Sequence, residues 1–181
     1  MDGILRKLPI GIQTFEKLRE GDYLYVDKTA LVWRIASTET PYFLSRPRRF
    51  GKSLLLSTFE AYFEGKKELF EGLAIADMEK EWKTYPLFHL DLNAEKYDSP
   101  QALVEILSRQ LTQWELKYGK GEDEETLSGR FAGVIRRACE QSGRGVVVLV
   151  DEYDKPLLQA LGDDALLDDY RKTLKAFYGV L

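Results

Sequence analysis

Cysteine and histidine are almost absent from this chain of 181 residues. Cys139 is the single cysteine and His89 the single histidine. One cysteine excludes a disulfide within the chain, and a zinc site or catalytic triad at His89 lacks companions. Cys139 lies in an apolar helical pattern, which favours a small core residue over a reactive thiol. His89 lies in an apolar run that predicts a half-buried strand residue.

Positive net charge and long apolar runs are also missing. The net charge is −4, so no overall basic character indicates nucleic-acid wrapping. A membrane span needs about 18 continuous apolar residues, and no stretch of the chain approaches that length. The N-terminus also lacks the apolar core of a signal peptide. We therefore expect a cytoplasmic protein. With 44% hydrophobic and 31% charged residues, the composition is that of a globular chain, and residues 1–181 are expected to form one domain.

Short apolar runs alternate with helical patterns along the chain. The run at 146–150 has no polar alternation, which is typical of a strand buried on both faces of a parallel sheet. Ser99 and Pro100 predict a helix start, because serine caps free N–H groups and proline loses nothing there. Strands separated by helices predict an α/β fold with a parallel sheet flanked by helices. Predicted strands are 23–26, 41–44, 86–92 and 146–150.

The predicted helices follow from apolar spacing of three and four residues. The polar segment 119–125 is expected to be an exposed, mobile loop. Short helical turns are expected at 69–73 and 78–82. The longer predicted helices are 12–18, 27–35, 53–63, 100–114, 126–139, 157–161 and 165–178.

The segment RPRRFGKS, residues 46–53, lies between a predicted strand and a predicted helix. The general phosphate loop is G-x-x-x-x-G-K-[ST], whose N–H groups wrap phosphates, whose lysine reaches the outer phosphates and whose hydroxyl binds Mg²⁺. The final Gly-Lys-Ser matches, but arginine occupies the place of the first glycine. The predicted nucleotide-binding residues are Arg46, Pro47, Arg48, Arg49, Phe50, Gly51, Lys52 and Ser53.

This loop leaves alternatives open. Pro47 stiffens the turn, so the standard loop shape cannot be assumed. Gly51 still permits close approach of a phosphate, and the start of the following helix offers N–H donors and a positive dipole end. The other interpretations are a solvated basic turn and a contact to nucleic-acid phosphates.

The segment GVVVLVDEYD, residues 145–154, ends a predicted strand with two carboxylates. Asp151 is predicted to hold Mg²⁺, usually through water, and Glu152 to orient and deprotonate the water that attacks the γ-phosphate. This role requires both to face the lysine loop, since strand ends in a doubly wound sheet meet at one edge. The predicted catalytic residues are Glu152 and Lys52, and the metal ligands are Ser53 and Asp151. The alternative is a pair of solvated acids.

Four more polar residues lie near these motifs. Asp154 is predicted to cap the helix that begins after it. Asp27 and Thr29 are good caps, with a nucleotide contact left open. Asp91 ends the strand at 86–92 on the same sheet edge as Asp151, where it could support the site.

These motifs together give a specific resemblance. The chain resembles the N-terminal AAA-ATPase-like domain of a large bacterial family whose longer members resemble PD-(D/E)XK nucleases at their C-terminus. Arginine in place of the first loop glycine is usual in that family. The matching stretches are LPIG at 8–11, FEKLR at 15–19, YVDKT at 25–29, RPRRFGKS at 46–53 and VDEYD at 150–154.

The resemblance implies a P-loop fold of the additional-strand class, with ATP and Mg²⁺ as ligands and the four site residues in the roles given above. In that class a sensor strand follows the Asp-Glu strand, whereas this chain ends at Leu181 near the helix that should precede it. We therefore expect a fragment with an incomplete sheet, whose free edges favour self-association.

Three functions remain open at this point. The first is an ATP-binding and ATP-hydrolysing module that gates or drives an attached effector such as a nuclease domain. The second is a nucleotide-responsive switch with negligible hydrolysis. The third is a module that binds nucleic-acid phosphates through its arginines. No Asn-Lys-x-Asp run of the kind that reads guanine is present, which favours ATP.

Overall fold

The structure, a computed structural model, describes residues 6–38, 40–45, 47, 49–93 and 96–181. The chain divides into two compact units, Met1–Thr84 and Tyr85–Leu181, here called the N-terminal and C-terminal units. Helices and a parallel sheet are both present, so the predicted α/β class is confirmed in this coarse form. None of the described helices is long and apolar enough to cross a membrane.

The N-terminal unit is helical in its described part. Its buried side chains are mostly apolar residues, among them Phe15, Leu18, Val32, Phe59 and Ile75. Helix α1 packs on α3, and α2 packs on α4. The elements are α1 (Phe15–Glu20), α2 (Thr29–Ala36), α3 (Lys52–Phe63), a 3-10 turn (Lys67–Phe70) and α4 (Ala74–Met78).

Helix α1 is fixed at both of its ends. The N–H of Phe15 donates to Ser57 Oγ of α3 at 2.9 Å. The guanidinium of Arg19 donates to the carbonyl oxygens of Leu69 at 2.7 Å and Glu71 at 2.6 Å. These carbonyls lie at and just after the end of the 3-10 turn, so the arginine satisfies acceptors that the turn leaves open. Part of the FEKLR motif therefore has an architectural role.

Asp27 and Thr29 cap two helices at once. Asp27 Oδ1 accepts from the N–H of Thr29 at 2.8 Å and from its hydroxyl at 2.7 Å, at the start of α2. Asp27 Oδ2 accepts from the N–H of Ala74 at 2.7 Å, and Thr29 Oγ1 accepts from the N–H of Ile75 at 3.1 Å. The capping role predicted at the start of α2 is confirmed for Asp27, whereas Thr29 is the first residue of α2 and its side chain caps α4 instead.

The C-terminal unit is a two-stranded parallel sheet with helices. Strands β1 and β2 pair directly from Leu87 opposite Val147 to Asp91 opposite Asp151. Helices α5 and α6 make the crossover between the two strands. The elements are β1 (Leu87–Asp91), α5 (Pro100–Tyr118), α6 (Leu127–Ser142), β2 (Val147–Asp151), α7 (Lys155–Gln159) and α8 (Asp164–Tyr178).

Aromatic rings form the centre of this unit. Phe88 of β1 stacks on Trp114 of α5 with ring centroids 4.6 Å apart. Phe131 of α6 stacks on Phe177 of α8 at 4.4 Å, with the two planes within 3° of parallel. Phe88, Phe131 and Phe177 are almost completely buried. Burial of such large apolar surfaces is the main force that holds the helices on the sheet.

Two ion pairs join α5 and the loop after it to α6. The guanidinium of Arg130 donates to both carboxylate oxygens of Glu115 at 2.8 and 2.7 Å. That of Arg137 donates to both oxygens of Glu124 at 2.5 and 2.9 Å. Glu124 also accepts from the N–H of Gly121 at 3.1 Å. The polar segment predicted to be a free loop is therefore anchored at Glu124, although most of its residues are exposed.

Two predicted strands and one predicted helical turn are wrong. Residues 41–44 form no strand, and 23–26 form only an isolated bridge between Tyr23 and Lys7. A strand needs a partner for its backbone groups, and the described part of the N-terminal unit contains no strand beside them. No helical turn forms at 79–82: α4 ends at Met78, and the Glu79 carboxylate beyond it accepts from the N–H groups of Glu81 and Trp82.

The other elements agree with the predictions to within a few residues. Ser99 occupies the cap position of α5 but makes no side-chain capping bond, whereas Thr126 caps α6 by accepting from the N–H of Gly129 at 3.0 Å.

In β2 only Leu149 is buried, so the prediction of burial along the whole strand is wrong. In a two-stranded sheet both strands are edges, which explains this partial burial.

Candidate functional site

The loop before α3 reaches the helix through a left-handed backbone. Gly51 has φ 78° and ψ 22° and is the cap residue of α3, and Arg49 has φ 67°. Nothing lies within 4 Å of the position that a Gly51 β-carbon would take, so glycine is required by the backbone conformation and not by space. Lys52 and Ser53 are the first two residues of the helix. Arg46 and Arg48 lie outside the described residues.

The start of α3 has the properties of an anion-binding helix end. The helix has 12 residues, and its first turn carries no carboxylate and no side-chain cap at Gly51. Its first N–H groups therefore keep a positive partial charge, to which the Lys52 ammonium adds. Lys52 and Ser53 are half-buried, while Phe50 is exposed. The strand that was predicted to lead into the loop is absent. The helix that was predicted to follow the loop is confirmed.

Strand β2 ends in a tight turn that carries the two predicted carboxylates. Asp151 is the last strand residue, and Glu152 follows with φ 51°, in the left-handed region. The N–H of Glu152 donates to Asp151 Oδ1 at 2.9 Å, which fixes the orientation of that carboxylate. The carbonyl of Glu152 accepts from the N–H of Lys155 at 2.9 Å. Left-handed conformations of residues other than glycine are uncommon, and they concentrate at functional sites.

The end of β1 lies beside this turn. Asp91 is the register partner of Asp151, so the prediction that both carboxylates lie at one sheet edge is confirmed. Asp91 Oδ1 accepts from the N–H of Asn93 at 2.8 Å. The ammonium of Lys155 donates to Asn93 Oδ1 at 2.8 Å and also to the Asn93 carbonyl oxygen. Asp91 thus fixes the asparagine, and the asparagine binds the lysine of the turn.

Sequence reasoning missed Asn93 and Lys155. The available signal was position: Lys155 follows the DEYD run directly, and Asn93 follows Asp91 by two residues.

The predicted cap at Asp154 is wrong. Asp154 occupies the cap position of α7 but makes no side-chain capping bond. Its φ of −92° and ψ of −9° are nearly helical, whereas a capping residue takes an extended conformation that turns its side chain toward the N–H groups.

The predicted metal ligands Ser53 and Asp151 carry oxygen donors, the kind that Mg²⁺ prefers. Among the described residues no group of three or more His, Cys, Asp or Glu side chains is placed to hold a metal ion. Mg²⁺ usually keeps waters and binds one or two protein oxygens together with phosphate oxygens, so a full protein cage is not needed. Ser53 belongs to the N-terminal unit and Asp151 to the C-terminal unit. Their meeting at one ion stays a prediction.

A Gly-Lys-Ser helix start and an Asp-Glu pair at the end of a parallel strand are typical of nucleoside triphosphatases. A family model described as "Predicted AAA-ATPase" matches residues 9–181. The chain belongs to this AAA-ATPase-like family, whose name indicates nucleotide binding.

One relative from Azotobacter chroococcum mcd 1, described as an uncharacterized protein in the vnfD 5' region, is 41% identical over 177 residues. The match covers 97% of this chain and 34% of the relative, so the chain spans about a third of that protein's length. No solved structure matches the chain.

Proposed function

We propose that this chain is an ATP-binding, Mg²⁺-dependent ATP-hydrolysing module with a P-loop NTPase-like fold. The observation that carries the proposal is the family match over residues 9–181, together with the Lys52-Ser53 pair at the start of α3 and the Asp151-Glu152 pair at the end of β2. Neither pair alone distinguishes a nucleotide site from a charged turn. Both pairs in one chain of this family support the same chemistry.

In this proposal the phosphates of ATP bind at the start of α3. The N–H groups at the start of the helix point toward the proposed ligand position, and the left-handed Gly51 lets the phosphates approach the backbone closely. Lys52 contacts the outer phosphate oxygens and Ser53 offers its hydroxyl to the metal. Mg²⁺, when bound, neutralises charge on the phosphate oxygens. The remaining proposed contacts come from the loop residues Arg46, Pro47, Arg48, Arg49 and Phe50.

The carboxylates at the end of β2 have separate proposed roles. Asp151, oriented by the N–H of Glu152, holds the metal through water. Glu152 accepts a proton from the water that attacks the γ-phosphorus, and the bond to the bridging oxygen breaks to give ADP and phosphate. Its left-handed backbone is of the uncommon kind that clusters at functional sites.

We further propose that ATP drives or gates an attached effector, such as a PD-(D/E)XK nuclease domain, in the bacterial cytoplasm. The relative from Azotobacter chroococcum supports an attached region, since about two thirds of its length lies outside the 34% that matches. In this view the P-loop domain occupies residues 1–181. The sensor strand would follow it.

A second candidate is a nucleotide-responsive switch with negligible hydrolysis. The observation that favours it is that the Lys52-Ser53 pair belongs to the N-terminal unit, whereas the Asp151-Glu152 pair belongs to the C-terminal unit. Phosphate binding at α3 needs only residues of the N-terminal unit, whereas hydrolysis needs the carboxylates of the other. This candidate predicts ATP affinity without turnover in the 181-residue chain.

Titration with ATP and Mg²⁺ tests the binding proposal. Lys52→Ala should weaken ATP binding about tenfold or more, because it removes the cation at the outer phosphates. Lys67→Ala is the matched control, since Lys67 also begins a helical turn in the same unit and is exposed. Equal ATP affinity in wild type and Lys52→Ala refutes nucleotide binding at this loop. Binding of single-stranded DNA that falls steeply with salt would favour the nucleic-acid alternative.

A turnover assay separates the two candidates. Glu152→Gln keeps the shape of the side chain but removes the base, so it should retain ATP affinity and lose about 100-fold or more in hydrolysis rate. Equal hydrolysis rates in wild type and Glu152→Gln would show that the base is elsewhere. Affinity for ATP with no turnover in the wild-type chain would favour the switch.

A further inference from the structure

The turn after β2 holds Glu152 in a conformation that needs support. Its φ of 51° lies in the left-handed region, which a residue other than glycine keeps only when its surroundings fix it. The two backbone bonds described above, from Glu152 to Asp151 and from Lys155 to Glu152, close the turn internally. They do not attach it to the rest of the sheet.

One attachment of this turn to the neighbouring strand comes from the side chain of Lys155. Its ammonium donates to both oxygen atoms of Asn93, the carbonyl oxygen and Oδ1, the latter at 2.8 Å. Asn93 lies two residues after the end of β1, and 62 residues separate it from Lys155 along the chain. The side chain of Lys155 therefore joins the turn that carries Glu152 to the segment that leaves the neighbouring strand.

Asn93 is itself held in place. Its N–H donates to Asp91 Oδ1 at 2.8 Å, and Asp91 is paired in register with Asp151. The N–H of Leu92 donates to the carbonyl of Asp151 at 3.1 Å, which brings the two strand ends together beside the asparagine. The lysine thus binds a partner that is fixed to the same sheet edge as the carboxylates.

We infer that Lys155 is a positioning residue: through Asn93 it sets the backbone conformation of Glu152, and so the direction of the proposed base. Lys155 does not act on the nucleotide in this inference, because its ammonium is engaged by the two asparagine oxygens. The inference rests on the proposed function for its effect on hydrolysis. Its claim about the conformation of Glu152 stands on the contacts alone.

Amide hydrogen exchange in the 181-residue chain tests the conformational claim without any nucleotide. Lys155→Met keeps the length of the side chain and removes its donors, so the amides of Glu152 and Lys155 should exchange about tenfold faster. Lys155→Arg, which also donates to two acceptors, should restore protection. Lys172→Met is the matched control, since Lys172 pairs with Asp168 on the exposed surface of α8. Unchanged exchange in Lys155→Met overturns the inference.

The effect on hydrolysis is a second readout. Lys155→Met should lower kcat for ATP about 10- to 100-fold with little change in KM, because a displaced base affects the chemical step more than binding. Asn93→Ala removes Oδ1 but keeps the carbonyl oxygen, so it should lower kcat less than Lys155→Met does, and the double variant should lose no more than Lys155→Met alone. A wild-type rate in Lys155→Met overturns the positioning role while the proposed function stands. Absence of turnover in wild type counts against hydrolysis, and the exchange result then decides the conformational claim.

Discussion

Gly133 of α6 leaves the space that the carboxylate of Glu124 occupies. A β-carbon at position 133 would lie 1.7 Å from Glu124 Oε1, which is far too close for any real contact. The carboxylate therefore lies directly against the helix backbone, where it pairs with Arg137 one turn further on. The side chains of this pair are only 13% and 15% exposed. Glycine is normally unfavourable within a helix, but here its missing side chain makes room for the Glu124–Arg137 ion pair.

Gly133→Ala should destabilise the protein. Alanine inside a helix is usually more stable than glycine by about 1 kcal/mol. Here the new methyl group would displace Glu124 and break its ion pair with Arg137, so we expect a net loss of about 1–2 kcal/mol in the free energy of unfolding. Urea denaturation measures it. In a Glu124→Ala background the same change should be neutral or stabilising, and a destabilisation of equal size in both backgrounds would contradict the contact.

Acid should weaken the same ion pair. The hydrogen bonds from Arg137 lower the pKa of Glu124 from its ordinary value of 4.5 to about 2. Because the pKa is lower in the folded state, the stabilisation is fully present above pH 4.5 and is lost as the pH falls toward 2. The urea midpoints of wild type and Glu124→Gln should therefore differ most above pH 4.5 and converge at lower pH. A constant difference across this range would be evidence against the assignment.

Asp27→Ala should loosen two helices together. Burial raises the pKa of this carboxyl, but the hydrogen bonds from Thr29 and Ala74 outweigh it and lower the pKa overall. Loss of both caps should lower the free energy of unfolding by about 1–2 kcal/mol. Asp27→Asn should lose less, because an amide keeps one acceptor oxygen. Asp77→Ala, at an exposed position of α4, is the control.

The same variants decide whether Asp27 also contacts nucleotide. If its role is architectural, ATP affinity in Asp27→Asn should stay at the wild-type value when stability is only slightly reduced. A large loss of ATP affinity in a stably folded Asp27→Asn protein would show a direct contact. Isothermal titration together with urea denaturation separates the two outcomes.

Tyr178→Phe should leave stability unchanged or raise it by up to about 1 kcal/mol. Within the described residues the Tyr178 hydroxyl is buried without a hydrogen-bond partner, and this burial raises its pKa. Removing the oxygen therefore removes an unsatisfied polar group.

Two other tyrosines of this unit are the controls. The hydroxyl of Tyr97 donates to the carbonyl of Leu92 at 2.8 Å, and that of Tyr170 to the carbonyl of Ser99 at 2.6 Å. The phenylalanine variants at these positions should each lose about 1 kcal/mol. Thermal and urea unfolding of all three variants give the comparison. Equal losses in the three would mean that Tyr178 has a partner.

Gly51→Ala should affect both stability and ATP binding. Its φ of 78° is strained for alanine, which should lower the free energy of unfolding by about 1 kcal/mol. Relief of this strain would move the loop, so we expect ATP affinity to fall about tenfold. Gly72 has a similar φ of 74° and equally open surroundings. Gly72→Ala should therefore show the same loss of stability with unchanged ATP affinity, and equal affinities in the two variants would contradict a role of the loop.

Much of the fold could be predicted because its signals are local. The apolar spacing of α5, α6 and α8 and the run that forms β1 identified these elements to within a few residues. Asp27 and Thr29 were recognised as caps, because capping residues have a clear sequence signature. The family could also be recognised from short motifs, since Gly51, Lys52 and Ser53 occur together with the Asp-Glu pair.

The wrong or missed predictions depended on backbone geometry and on contacts between distant segments, which the sequence of a single segment does not show. The segments 23–26 and 41–44 have strand-like composition, but a strand forms only where another strand accepts its hydrogen bonds. Asp154 has the sequence of a cap, but its nearly helical backbone turns the side chain elsewhere. The anchoring of Glu124 depends on a glycine nine residues later, and that of Lys155 on an asparagine 62 residues earlier. Such contacts follow from the three-dimensional fold.

The double cap at Asp27 has a consequence for how this family can vary in length. The carboxylate joins two points 47 residues apart, and residues 46–53 and α3 lie within the segment it closes. The entropy of closing such a segment grows only with the logarithm of its length, so even doubling it costs about 0.6 kcal/mol. An insertion between α2 and α3 should therefore leave the junction at α4 intact. The region before the Gly-Lys-Ser turn is thus a place where insertions can accumulate while the helices around it keep their arrangement.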